Sequence, residues 1–414
     1  MTRKILTALV ALAPLVAPAK DLFTVTTTGG ATLTVSGSRL ADMLEDAVKA
    51  QGDFAAIGSG SARIAVNYTG QVDAIVMDVV APALPGNPFT ATLTLPGFSK
   101  TFSGATKDEL QDAIEDFIRE EGAGRNELFK ALKRVWAKSP VTITDGTPHA
   151  STAMIANRAF AEFGLRHGKT GGERALLDAG KPLDTGFFGI EVDAGRFETE
   201  GGYRGESYTV APTLRLGERW GFVLSAPVRY LDIEGAQAAE WSLLAGIPLQ
   251  ILSEDKDSRL FWQVTPHAHA ALAGSLDVAQ AGLEVGGGLT HRIGYDFGWG
   301  TLQLANQFGH FEGLDIDGVD TGVKQQILKN GLQLSVPLAS RWLVEARAVR
   351  TDFLKDAPMD AYYTFGADLV FRSPGESSWA MCLVPDDFYV GAYVDMDFDD
   401  YTSAYARAGI RWKW

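Results

Sequence analysis

His267 and His269 stand two residues apart, and Glu284 lies in the next alternating stretch. If both stretches are strands, the two imidazoles share one face and the carboxylate meets them from the neighbouring strand. Such a set can hold a divalent metal. It also occurs as ordinary hydrogen-bonding groups on a polar face, and that is the reading taken, with no metal and no cofactor expected. A barrel hydrolase would need a histidine beside a serine and an orienting polar group at one rim. His310 is near a strand end, but its parity points it outward and no serine pairs with it. Asp315–Asp320 and Asp395–Asp400 carry enough carboxylates for a cation. The first lacks the distal glutamate of a calcium loop, and both read as solvated turns. Cys382 is alone, which excludes an internal disulfide framework. There is no glycine-rich phosphate loop, no His–Glu metal motif and no cysteine pair. Catalysis is therefore not expected.

The other chemically capable residues are charges spaced by two. Asp395 and Asp397 share a face in one stretch, and Arg407, Arg411 and Lys413 share a face in the next. With a turn near Asp400, both aspartates should approach Arg407 across the pair, where opposite charges stabilise modestly. Together with Glu284, His267 and His269 they form an inward set. Glu191, Asp193, Arg215, Arg229, Arg292, Glu345, Arg347, Asp368 and Arg372 have the same parity. This mixture of signs either seals an interior or gives it charge selectivity. The whole chain has a formal charge of −14 and no basic cluster, which argues against nucleic acid.

The elements that position these charges are strands. In the last ten residues, Ala406, Ala408, Ile410, Trp412 and Trp414 alternate with Tyr405, Arg407, Gly409, Arg411 and Lys413. A solvated sheet alternates too, but an apolar face ending in two tryptophans suits a strand facing lipid. About 12 such stretches follow residue 187, separated by turn punctuation such as Gly201-Gly202 and Gly217-Glu218. Apolar stripes recur, as in Leu243, Ala245, Ile247, Leu249 and Ile251, and Trp220, Trp241, Trp262 and Trp342 sit near stretch ends as an interfacial girdle requires. Closing the sheet removes its edges and satisfies its backbone in lipid.

Before residue 187 the rhythm is mixed. Arg3, Lys4, the apolar run Ile5–Val16 and Ala17-Pro18-Ala19 read as a cleaved signal peptide over 1–19. Residues 20–165 read as a small α+β domain with a duplicated strand–strand–helix unit, the second helix opening on the capping box Thr106–Glu109. Leu128 to Trp136 and Ala150 to Phe163 read as further helices, and 166–186 as a linker. The fold expected is mainly β: an antiparallel transmembrane barrel over 187–414 preceded by that domain.

Residues 187–414, with the helical stretch before them and the ending Ile410-Arg-Trp-Lys-Trp414, resemble an outer-membrane β-barrel of the autotransporter-like class. The resemblance implies a Gram-negative outer membrane, with lipid and lipopolysaccharide as surroundings. It also implies that Ile410, Trp412 and Trp414 are read by the barrel-assembly machinery. The short mixed domain departs from the long β-solenoid passenger of such proteins. The expectation is therefore a structural or passive-transport barrel with a periplasmic N-terminal domain. The alternatives are a translocator exposing that domain and a lipid-modifying enzyme.

Overall fold

The structure is a computed structural model. It describes residues 20–28, 33–39, 61–82, 84, 86–119, 123–136, 139–165, 186–217, 221–252, 259–278, 280–314, 323–355, 357–372, 385–398 and 401–413. The signal peptide, the first proposed helix after Gly37, most of the linker, Cys382, Trp220, Trp414 and Asp315–Asp320 lie outside these residues.

The N-terminal unit is a six-stranded antiparallel sheet. Its strands are β1 (Phe23–Thr28), β2 (Leu33–Gly37), β3 (Ser61–Tyr68), β4 (Gln71–Val80), β5 (Phe89–Leu95) and β6 (Phe98–Gly104), in the order β2-β1-β3-β4-β5-β6. Helix α1 (Lys107–Arg119) begins where the capping box predicts. Thr106 Oγ1 accepts from the Glu109 amide at 3.1 Å. The Glu109 carboxylate reaches back to the Ala105 amide at 2.8 Å, one residue before the cap. Leu110 of α1, with Leu128 and Ala131 of α2 (Ala123–Trp136), covers Val79, Leu93, Leu95 and Phe102 of the sheet.

The wall of the second unit comprises twelve strands. They are β7 (Phe187–Glu198), β8 (Arg204–Leu216), β9 with β10 (Phe222–Ser225, Val228–Ile233), β11 with β12 (Ala236–Gly246, Leu249–Leu252), β13 (Leu260–Ser275), β14 (Gln280–Asp296), β15 (Thr301–Gly313), β16 (Lys324–Pro337), β17 (Trp342–Phe353), β18 (Ala361–Arg372), β19 (Asp387–Met396) and β20 (Thr402–Lys413). Every pairing is antiparallel, and β20 closes on β7, with Lys413 opposite Phe187 and Thr402 opposite Glu198. Two strands expected to run through are broken at Pro227 and Pro248, where proline has no amide to give to the ladder.

The alternation expected from sequence sets the two faces. Leu243, Leu304 and Val390 are 48%, 51% and 42% exposed on the outside, while Arg215, Glu345 and Gln333 inside are at most 2% exposed. An apolar belt facing outward is what the bilayer requires of such a wall.

The wall is filled by its own upstream chain. Helix α3 (Ser151–Ala159), continued by a π-turn Phe160–Gly164, runs down the interior. Its buried residues touch facing strands all round: Met154 and Ile155 pack with Phe311, Ile327 and Tyr362, Phe163 with Val223 and Leu244, and Phe160 with Ala305 and Val349. The wall makes room with glycine. A Cβ on Gly331 would lie 2.7 Å from the Phe160 ring, and one on Gly246 would lie 2.4 Å from Phe163. The boundary drawn at residue 165 thus counts with the N-terminal unit a segment that lies inside the barrel.

The direction of this passage follows from the register. The near end is where β7 begins and β20 finishes; the far end carries the turns after β7, β10, β13 and β19. The N-terminal sheet packs on the far end. Leu22, Phe23, Val66 and Tyr68 share one core with Phe197, Tyr203, Leu231, Ile233, Val278 and Tyr401. Polar contacts reinforce it: the Lys20 amide donates to Glu234 at 2.7 Å, and Arg39 pairs with Asp277 at 3.4 Å. From Lys20 the described chain therefore leads from the far end down through the interior to Leu165, and the wall begins at the near end with Phe187.

Replacing Gly331 with valine should expel Phe160 from its socket. Overpacking of this kind costs about 1–3 kcal/mol. Amide exchange across 151–164 should speed up while the wall keeps its heat-modifiable gel mobility.

Candidate functional site

The site with the densest chemistry is the contact between α3 and the wall. Arg158 is its centre and is 7% exposed. Its guanidinium ion-pairs with Glu191 of β7 and with Glu162 one turn further along its own segment. It also donates to Ser225 Oγ at 3.2 Å and Thr213 Oγ1 at 2.9 Å. Thr213 in turn donates to Glu162 at 3.0 Å. A buried charge is tolerated only when paired and hydrogen-bonded, and this one has both.

Other interior charges are also paired. Arg407 reaches Asp368 at 2.7 Å and Glu191 at 3.7 Å, and it donates to the Tyr393 hydroxyl. Arg347 meets the same Asp368 and lies 3.7 Å from Glu345. Arg229 pairs with Glu240 at 2.6 Å, and Arg372 with Asp387 at 3.4 Å. Beneath the helix, at the near end, a small recess is lined by Arg215, Arg347, Arg407, Arg411, Glu162 and Glu191.

The inward set expected from sequence is scattered rather than gathered. Asp395 stands opposite Ser403, and Arg407 opposite Gly391, because the last hairpin turns over 397–401 with Met396 facing Thr402. Asp395 therefore accepts from Thr364 at 2.6 Å instead of meeting Arg407. Asp397 caps the turn, accepting from the Tyr401 amide at 3.0 Å. The expected approach of these aspartates to Arg407 fails on register: they lie near the far end, several residues above it. Arg411 stacks on Phe187 and Tyr389, 4.7 and 5.2 Å from the ring centroids. Lys413 is opposite Phe187 in the ladder, its side chain lying outside what is described. Ile410 faces Ile190, and Trp412 stacks on Phe188 at 5.9 Å on the outer side.

His267 and His269 are buried inside, with ring centroids 6.3 Å apart. They stack on Phe163 of the π-turn and on Phe311 of the wall, at 5.3 and 4.3 Å. Glu284 is opposite Ala271 and is taken by the Ser151 hydroxyl at the top of α3. Among the described residues no three metal-ligating side chains converge. His310 faces outward, 4.0 Å from Glu312.

Sequence reasoning missed Ser151, Asn157, Arg158 and Glu162 as site residues, and missed Lys329 on the wall. A signal was present: Ala153, Met154, Ile155 and Ala156 are consecutive apolar residues that circle the helix, and Arg158 and Glu162 form a pair four apart in an otherwise uncharged segment. A helix that is apolar all round is enclosed on every side.

At the far-end mouth, burial and then the Arg229 guanidinium push the His149 imidazole down to about 3. Among the described residues neither of its nitrogens has a hydrogen-bond partner, and the ring stacks on Phe197 at 4.5 Å. In the same loop, burial lifts the Asp145 carboxyl to about 6, against hydrogen bonds from Gln325 and Thr152 that favour its charge.

Two outcomes follow. Arg158→Met would leave Glu162 and Glu191 buried without that cation, and breaking a buried pair this way costs about 3–5 kcal/mol. The unfolding temperature in detergent should fall, and fall less for Arg158→Met combined with Glu191→Gln. For Asp145 the folded value lies above the ordinary 3.8, so its contribution is full below about pH 4 and lost as pH rises through about 6. Protection of amides 139–150, taken relative to the intrinsic exchange rate at each pH, should be greater at pH 4 than at pH 7.5, and Asp145→Asn should flatten that difference.

No protein-family model matches the chain, and no curated protein does. Among solved structures, the translocator domain of the autotransporter NalP from Neisseria meningitidis is 14% identical, covering 58% of this chain and 92% of its own, with a TM-score of 0.34. The β domain of the Bordetella autotransporter BrkA is 13% identical, covering 56% of this chain and 100% of its own, with a TM-score of 0.40. The toluene transporter TodX of Pseudomonas putida is 10% identical over 61% of this chain and 99% of its own, with a TM-score of 0.34. These likenesses concern the barrel and carry no functional weight. The closed twelve-stranded wall and the apolar outer belt make this a transmembrane β-barrel.

Proposed function

We propose that the barrel is an outer-membrane anchor of the translocator type, which holds its N-terminal domain on the outer surface of the cell. The observation that carries this reading is the order of the chain. The N-terminal sheet packs on the far-end turns, α3 descends through the interior, and β7 starts at the near end. In bacterial barrels with an even strand number both ends of the wall face the periplasm, so the far end is the outside. The expectation of a periplasmic domain supposed that residues before 187 stay at the near end, and a threaded helix removes that premise.

A passive pore is the second reading, favoured by the arginine-lined recess beneath the helix. Passage through the interior would require α3 to be displaced, and its paired charges oppose that. Outer-membrane lipid and lipopolysaccharide are the surroundings this reading gives the belt. The barrel-assembly machinery is the reader it gives Ile410 and Trp412.

Proteolysis of intact cells tests the orientation. An epitope placed in the turn at Thr69-Gly70, which joins β3 to β4, should be labelled by antibody and removed by external protease. Protection of that epitope until the outer membrane is permeabilised would overturn the surface assignment.

A further inference from the structure

Lys329 of β16 is a buried amine with an unusual set of neighbours. It is 2% exposed, and its Nζ donates to Asn157 Oδ1 of α3 and to Thr351 Oγ1 of β17, each at 2.5 Å. The rings of Phe160 and Tyr362 flank it at 5.7 and 5.4 Å. The Tyr362 hydroxyl donates to the same Asn157 Oδ1 at 3.0 Å. The wall holds these groups in one row, since Lys329 stands opposite Thr351 and Thr351 opposite Tyr362. The contacts of the amine are thus neutral oxygens and aromatic faces. The carboxyl of Asp395, fixed by Thr364, is within electrostatic reach of Lys329.

We propose that Lys329 and Asn157 condense to an isopeptide bond in the folded barrel, joining the internal helix covalently to the wall. With Nζ 2.5 Å from Oδ1, and a C=O length of about 1.23 Å, the amine is at most about 3.7 Å from Asn157 Cγ. That is close to the separation of a near-attack pair. The lone pair of the free amine adds to Cγ, and the Nζ–Cγ bond forms. The oxygen that gathers negative charge already accepts a hydrogen bond from Tyr362, which stabilises it. The Cγ–Nδ2 bond then breaks, and Nδ2 leaves as ammonia with the proton given up by Nζ. No oxidant, reductant or cofactor enters the balance. Packing around the pair keeps out water, the competing nucleophile.

This bond does not depend on which side of the membrane the N-terminal domain occupies. The test is peptide mapping by tandem mass spectrometry of the full-length protein extracted from membranes. The expected result is a branched peptide that joins the segments around Asn157 and Lys329 and is lighter than their sum by one ammonia. Lys329→Met and Asn157→Ala should each abolish it completely. Folded wild-type protein that yields both segments only as linear peptides, with Asn157 and Lys329 intact, would overturn the proposal. That wild-type measurement decides the matter even if a variant fails to fold.

Discussion

A guanidinium shared between a helix and the strands around it is the constraint on which the arrangement rests. Arg158 cannot be buried alone, and the acids that neutralise it come from two sources, Glu162 of its own segment and Glu191 of the wall. Glu191 is also met by Arg407, which is tied to Asp368, which is tied to Arg347. Removing one member therefore strands the next. The interior is held as a chain of shared charges, and the helix is one link of it. Apolar contacts at Phe160 and Phe163 fix the height of the helix through glycine sockets.

The wall was almost fully legible in the sequence. Period-two alternation is local, so strands such as Trp342–Phe353 and Lys324–Val336 could be bounded within a residue or so, and apolar parity set the outer face. What misled was information that is not local. The last hairpin turns a few residues beyond Met396, and that register, not the parity, decides whether Asp395 meets Arg407 or Ser403. The helix over Ala150–Phe163 was recognisable, yet nothing in a 3.6-residue period says whether it lies beside a sheet or within one. Its partners, Glu191, Lys329 and Tyr362, are between 33 and 205 residues away from the groups they bind.

The two units are joined by more than a linker. The core that unites Phe23, Tyr68 and Val141 with Phe197, Leu231 and Tyr401 is continuous across the far end. Its apolar character ties the orientation of the sheet to the barrel turns. A substitution in either partner therefore loosens both, and the short segment 139–150 between them is where burial pushes Asp145 and His149 in opposite directions.

The threading also gives the molecule a one-way stopper. A folded six-stranded sheet is wider than the bore of a twelve-stranded ring filled by one helix. While that sheet stays folded, the helix cannot be drawn out through the near end. Before any covalent link to the wall forms, the way left open to it is back through the far end, within the reach of residues 166–186 that join it to the first strand of the ring. Fully extended, a tether of that length reaches about 70 Å, more than the thickness of the membrane itself. The same geometry restricts assembly. Either the ring closes around a chain already in place, or the sheet folds only after its residues have gone through.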